Sequence, residues 1–254
     1  VFGANASGKS TILSAVGLLG RAIAEPGTRL YWPYAAAAAA QTPTAYDVDF
    51  TVARGEIHAI CGENGAGKST TFKMMCGLLT PTEGSCSVSG LDFRTAPGAA
   101  RARLGYMAQK FSLYGDLTVL QNLRFFSGIY GLRGGAAVER VVETFDLGPY
   151  LSSRAGGLPL GFKQRLAMGC AVMHGPDVLF LDEPTTYLDL SHSIEVLELV
   201  HGLSRDHNRT VVMVLHDINL SARYADHIIA MRAGRVVAAG PPREVVDAEL
   251  VSTV

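Results

Sequence analysis

The sequence predicts an α/β fold: a mostly parallel sheet with helices on both faces and a helical insertion. Three observations predict it. The runs at 178–181 and 210–215 are continuously apolar and end in polar pairs, Asp182-Glu183 and His216-Asp217. Strands buried on both faces read this way, without polar alternation. Stretches of helical spacing separate these runs, as crossovers between parallel strands require. Residues 56–61 form a short apolar strand that enters a glycine-rich turn and then a helix.

Residues 1–43 stand apart as an atypical N-terminal segment. Gly3-Ala4-Asn5-Ala6-Ser7-Gly8-Lys9-Ser10-Thr11 matches the phosphate-loop pattern, and an apolar helical run follows over 12–24. Almost no strand precedes that match, and the six alanines at 35–40 close the segment. A piece of this size buries no core of its own. Three readings fit it: the remnant of a preceding nucleotide-binding domain, a stretch standing in for other residues, or a second working site.

From residue 44 the pattern is regular. Residues 48–52 alternate like a half-buried strand, and Arg54-Gly55 turns into the strand at 56–61. The helix over 71–79 closes at the Pro81 turn, and Thr82-Glu83-Gly84 leads into a strand at 85–89. A strand at 104–108 ends in Gln109. The stretch 113–171 is mainly helical, with breaks at Gly134-Gly135, Gly148-Pro149 and Gly156-Gly157. A helix over 194–203 precedes the 210–215 strand; short strands at 228–231 and 235–238 and a helix near 243–247 complete the chain.

The net charge of −1 offers no basic field, which argues against a direct nucleic-acid partner. Hydrophobic residues make up 48% of the chain, yet no apolar run reaches the roughly 18 residues that span a bilayer. That balance fits a cytoplasmic subunit burying surface against partners. Cys61, Cys76, Cys86 and Cys170 are scattered and read as small core residues of a reducing compartment.

The chemistry starts at Gly62-Glu63-Asn64-Gly65-Ala66-Gly67-Lys68-Ser69-Thr70, the G-x-x-x-x-G-K-[ST] loop between a strand and a helix. Its glycines let backbone N–H groups wrap a β-phosphate at a helix N-terminus. Lys68 reaches the β- and γ-phosphates, and the Ser69 hydroxyl ligates Mg²⁺. Asp182 ends an apolar strand, where a carboxylate holds Mg²⁺ or its water, and Glu183 beside it polarises the attacking water as general base. Gln109 and His216 also end strands; an amide there touches Mg²⁺ and the attacking water, and an imidazole reaches the γ-phosphate. The histidines at 58, 174, 192, 201, 207 and 227 read as structural or exposed.

This ordered set resembles the ATP-binding cassette family, the ATPase subunits of ABC transporters, over residues 44–245. In that likeness 62–70 is Walker A, Gln109 the Q-loop, 178–183 Walker B with its catalytic Glu183, Tyr187-Leu188-Asp189 the D-loop and His216 the switch histidine. The signature motif stands as Leu158-Pro159-Leu160-Gly161-Phe162, with Pro159 where the family usually has Ser; Gly161 keeps a backbone N–H for nucleotide. The resemblance implies a P-loop NTPase fold of ABC type over 44–254, with a small antiparallel β subdomain and a helical subdomain at about 110–175. It implies ATP and Mg²⁺ as ligands, hydrolysis at Glu183, Gln109 and His216, and Asp189 and Gly161 serving a nucleotide across a dimer. The implied partners are a second nucleotide-binding domain and transmembrane transporter subunits, met at the cytoplasmic face of a membrane. Residues 111, 113, 114, 117, 125 and 126 offer apolar area for that contact or core for the helical lobe. An aromatic upstream of Walker A stacks adenine in the family; Tyr31, Trp32, Tyr34 and Tyr46 are candidates. The middle of the chain is similar to tandem-cassette exporter ATPases, and 185–242 to iron–siderophore importer subunits. A non-transport ABC ATPase and a binding-only cassette are the rival readings; Pro159 alone favours the latter.

Overall fold

A computed structural model describes strands at 28–30, 33–35 and 45–47, then residues 50–80, 85–110 and 112–247. The phosphate-loop match at 3–11, the run at 12–24, the alanines at 36–40, Tyr31, Trp32 and Phe111 lie outside the described residues.

The strands are β1 (Thr28–Leu30), β2 (Pro33–Ala35), β3 (Ala45–Asp47), β4 (Phe50–Val52), β5 (Ile57–Gly62), β6 (Ser87–Val88), β7 (Leu91–Asp92), β8 (Leu104–Met107), β9 (Val178–Leu181), β10 (Thr210–Val214), β11 (His227–Arg232) and β12 (Arg235–Gly240). The helices are α1 (Lys68–Met75), α2 (Pro97–Ala102), α3 (Val119–Ile129), α4 (Ala136–Thr144), α5 (Leu160–Val172), α6 (Leu190–His207), α7 (Ile218–Tyr224) and α8 (Pro242–Val245).

Six strands form the main sheet in the order β12-β11-β5-β10-β9-β8. All neighbours are parallel except β12, which runs antiparallel along one edge. Three two-stranded antiparallel pairs, β1-β4, β2-β3 and β6-β7, lie outside it. Register sets Tyr34 opposite Tyr46 in the β2-β3 pair.

Side chains alternate across each parallel strand and so divide between two cores. Ile57, Ala59, Leu179, Leu181, Val211, Met213, Ile228 and Ala230 join one core with residues of α3 to α7. Ile60, Val178, Phe180, Val212, Val214, Ile229 and Met231 join the other, with Phe72, Met74 and Met75 of α1 and Val88 of β6. Both faces are therefore covered, which is why these strands carry no polar alternation.

The boundaries differ from expectation where local chemistry decides them. The helix after the glycine-rich loop starts at Lys68 rather than 71, because the Thr71 N–H already bonds the Gly67 carbonyl at 2.9 Å. Residues 113–118 form turns instead of helix. α3 begins only at the capping box, where Thr118 and Gln121 exchange side-chain and backbone bonds. α6 runs from 190 to 207, longer at both ends than predicted, with Asp189 capping its start. The short α2 and α7 were not anticipated; α7 is started by Asp217, whose side chain accepts from Asn219 and Leu220. The four thiols are buried and free. Among the described residues no helix is long and apolar enough to cross a membrane.

Candidate functional site

The parallel strands β8, β9, β10 and β5 point the same way, so the residues that follow them gather at one sheet end. Those residues are Gln109, Asp182 with Glu183, His216 and the loop starting at Gly62. Ligands bind at this end of open α/β sheets.

Backbone hydrogen bonds define the shape of the glycine-rich loop. The Ala66 N–H donates to the Glu63 carbonyl at 3.1 Å, and the Gly234 N–H donates to the Ala66 carbonyl at 2.9 Å, tying the loop to the β11-β12 hairpin. Gly62 has φ 151°, and a Cβ there would meet the Met231 carbonyl oxygen at 2.2 Å, so only glycine fits. Lys68 is buried; its ammonium donates to the carbonyls of Gly62 at 2.6 Å and Glu63 at 2.9 Å. Burial lowers its pKa, and Glu183 and Asp182 oppose that shift. Ser69 and Thr70 sit half-buried in the first turn of α1, while Glu63, Asn64 and Gly65 are exposed on the loop's outer side.

Glu183 is the best-held group. Gln109 Nε2 donates to its Oε2 at 2.6 Å, the Thr186 hydroxyl donates to the same oxygen at 2.8 Å, and His216 Nε2 meets its Oε1 at 2.9 Å. Its backbone sits at φ 55°, a strained conformation for a non-glycine residue. Burial raises the carboxyl pKa, yet the bonds from Thr186, His216 and Gln109 outweigh it and leave the group below its ordinary value. Gln109, Glu183 and His216, each predicted separately as a site residue, are thus brought into direct contact. Thr186 was missed; the Pro184-Thr185-Thr186 turn directly after Glu183 was the available signal.

Asp182 differs. It is 3% exposed, and its Oδ1 has no hydrogen-bond partner. Burial first, and the neighbouring Glu183 second, push its pKa up to about 6; a bond with Tyr106 acts against them. An orphaned buried carboxylate oxygen fits a divalent cation.

Beneath this pair lies an aromatic wedge. Phe72 of α1 meets Phe180 of β9 edge-on at 5.4 Å and Tyr106 of β8 at 6.2 Å. It joins the helix that opens at Lys68 to the strand that ends at Asp182.

Gly161 and Asp189 lie elsewhere. Gly161, in the first turn of α5, is buried against His192, whose Cδ2 would stand 3.3 Å from an added Cβ. Pro159 occupies the N-cap of α5 and offers no side-chain cap. Asp189 accepts from the His192 N–H and meets His192 Nδ1, both at 2.8 Å. The bonds of Asp189 and the packing of Gly161 are with His192, not with the glycine-rich loop. Tyr114 and Phe125 are exposed and meet edge-on at 4.9 Å, whereas Phe126 is buried. The apolar set predicted for the helical lobe therefore divides between surface and core.

Known proteins similar to this chain share one family. The ABC transporter family profile matches residues 45–186. The probable multidrug ABC transporter ATP-binding protein YbhF of Escherichia coli (strain K12) is 52% identical over 77% of this chain, which spans only 34% of that relative. The ABC transporter ATP-binding protein NatA of Bacillus subtilis is 32% identical, over 80% of this chain and 84% of that protein. Among solved structures, an ATP-binding subunit of an ABC transporter superposes with a TM-score of 0.73 at 31% identity, over 84% of this chain and 90% of that one. Part of the Clostridium perfringens cbiONQ complex, cbiO1, superposes with a TM-score of 0.75 at 26% identity, over 90% and 93% of the two chains.

Proposed function

This chain belongs to the ABC transporter family, and we propose that it is the ATP-hydrolysing engine of a membrane transporter. In this reading it works at the cytoplasmic face, paired head to tail with a second nucleotide-binding domain and docked on transmembrane subunits. Residues 44–254 form the working domain, with the helical subdomain at about 110–175.

The observation that carries the reading is the Glu183 carboxylate, gripped by Gln109, Thr186 and His216 beside the unpartnered Asp182 oxygen. Gly62, Glu63, Asn64, Gly65, Ala66, Gly67, Lys68, Ser69 and Thr70 cradle the ATP phosphates. Lys68 exchanges its loop carbonyls for phosphate oxygens. Ser69, Asp182 and Gln109 hold Mg²⁺, which when bound neutralises charge on the transferring phosphoryl group. Glu183, kept ionised by its three partners, takes the proton of the attacking water. His216 and Gln109 orient that carboxylate. Gly161 and Asp189 serve the nucleotide of the facing domain, once His192 gives way. Pairing across bound ATP, and separation after hydrolysis, is a ligand-driven shift between two states.

The test is ATP turnover by the purified chain beside Glu183→Gln. The wild type turns over; the variant binds MgATP, dimerises and loses roughly 10²–10⁴-fold in rate. A wild type that binds ATP but neither turns over nor dimerises would sink the reading and favour a binding-only domain.

A further inference from the structure

At the amino end of β5, opposite the glycine-rich loop, three metal-type donors share one sheet face. Glu56 and His58 are two residues apart on extended chain, so their side chains point the same way. His227 opens β11 directly opposite His58 in the parallel register. The two imidazoles consequently stack, with centroids 4.8 Å apart and planes 13° from parallel.

Glu56 Oε2 lies 2.9 Å from His58 Nε2 and 3.7 Å from His227 Nδ1. One donor atom from each residue falls within 4.8 Å of the others. A tetrahedral zinc ion with bonds of about 2.1 Å spaces its donors about 3.4 Å apart, between those two separations. His58 is only 3% exposed, and both His58 Nδ1 and His227 Nδ1 are buried without a hydrogen-bond partner. A buried imidazole nitrogen left unsatisfied is costly unless something uses it, and the orphan His227 Nδ1 is the one that faces the Glu56 carboxylate. Asp226 beside it is committed elsewhere: it accepts from the Ile57 N–H at 2.8 Å and pairs with Arg205.

We propose that Glu56, His58 and His227 form a binding site for a divalent transition metal of zinc's class, separate from the Mg²⁺ position. Two imidazoles and a carboxylate favour zinc over magnesium, and a water completes the fourth position. Binding turns the two rings out of their stack so that a nitrogen lone pair of each points at the ion, which replaces the His58–Glu56 hydrogen bond and clips β5 to β11 at the end remote from nucleotide.

The experiment titrates Zn²⁺ into the metal-stripped, nucleotide-free chain by calorimetry, and records the visible spectrum with Co²⁺. His227→Ala is the informative variant, because His227 is half-buried and its loss spares the core; circular dichroism checks its fold. Glu56→Gln is the second variant and Asp182→Asn the control. The site predicts one ion per chain, a Co²⁺ spectrum without a thiolate charge-transfer band, and affinity weakened by more than roughly tenfold in both site variants but not in the control. No uptake, uptake unchanged in folded His227→Ala and Glu56→Gln, or a thiolate band would each overturn the proposal.

Discussion

Replacing Asp182 by Asn should make the protein more stable and pH should control by how much. In the folded chain this carboxyl is lifted from 3.8 to about 6. At about 1.4 kcal/mol for each pH unit, holding it ionised costs the native state about 3 kcal/mol at pH 8. Asparagine keeps the shape and removes the charge, along with its repulsion of Glu183. The sign follows from the folded pKa lying above the unfolded one. As pH falls through about 6, the native carboxyl takes up a proton that the unfolded chain still lacks, and the penalty is relieved. It has about halved by pH 5 and is nearly gone below 3.8. The assay is thermal unfolding of both proteins from pH 8 to 5, without nucleotide and with chelator present. The variant should melt about 6–12 °C higher at pH 8, and the gap should narrow towards pH 5. No gap, or one constant across that range, refutes the argument that a desolvated charge sits at this strand end. Such a burden is the usual signature of a site tuned for binding rather than stability.

Thr186→Val removes the first of the bonds that hold Glu183 below its ordinary pKa. The base then protonates sooner on acidification, so the acid limb of the kcat/KM profile should move to higher pH while the fold is unchanged. Gly62→Ala sets a Cβ 2.2 Å from the Met231 carbonyl oxygen; overpacking and backbone strain together should cost about 3 kcal/mol or more, read by denaturant unfolding. Thr118→Ala breaks the capping box of α3 and should cost about 1 kcal/mol in the same measurement, with ATP binding unaltered.

The strands legible in the sequence were those whose hydrophobicity leaves no choice of face. Val178–Leu181 emerged at the predicted residues, and Thr210–Val214 within one. Residues 85–89 shrank to a two-residue strand, because a short pair outside the main sheet has few neighbours to lengthen it. Gln109, Glu183 and His216 could be read as site residues because each follows a sheet strand. Their mutual bonding could not, since it depends on the φ of 55° at Glu183, which no residue pattern announces. The stacking of His58 on His227 was equally hidden. Each looks like an isolated histidine until strand order places β11 beside β5. Gly161 and Asp189 were legible by motif, but their shared contact with His192 is a matter of how α5 packs on α6.

The aromatic wedge has a consequence for how such chains fail. Phe72 is fully buried, and its ring spaces the phosphate-cradling helix from the two strands that present Tyr106 and Asp182. A chain carrying a small polar residue at position 72 would retain every letter of every nucleotide motif. It would still lose the separation between lysine and aspartate that those letters presuppose. Damage of this kind is silent to motif inspection, and it identifies position 72 as a place where a relative could become inactive while still looking competent.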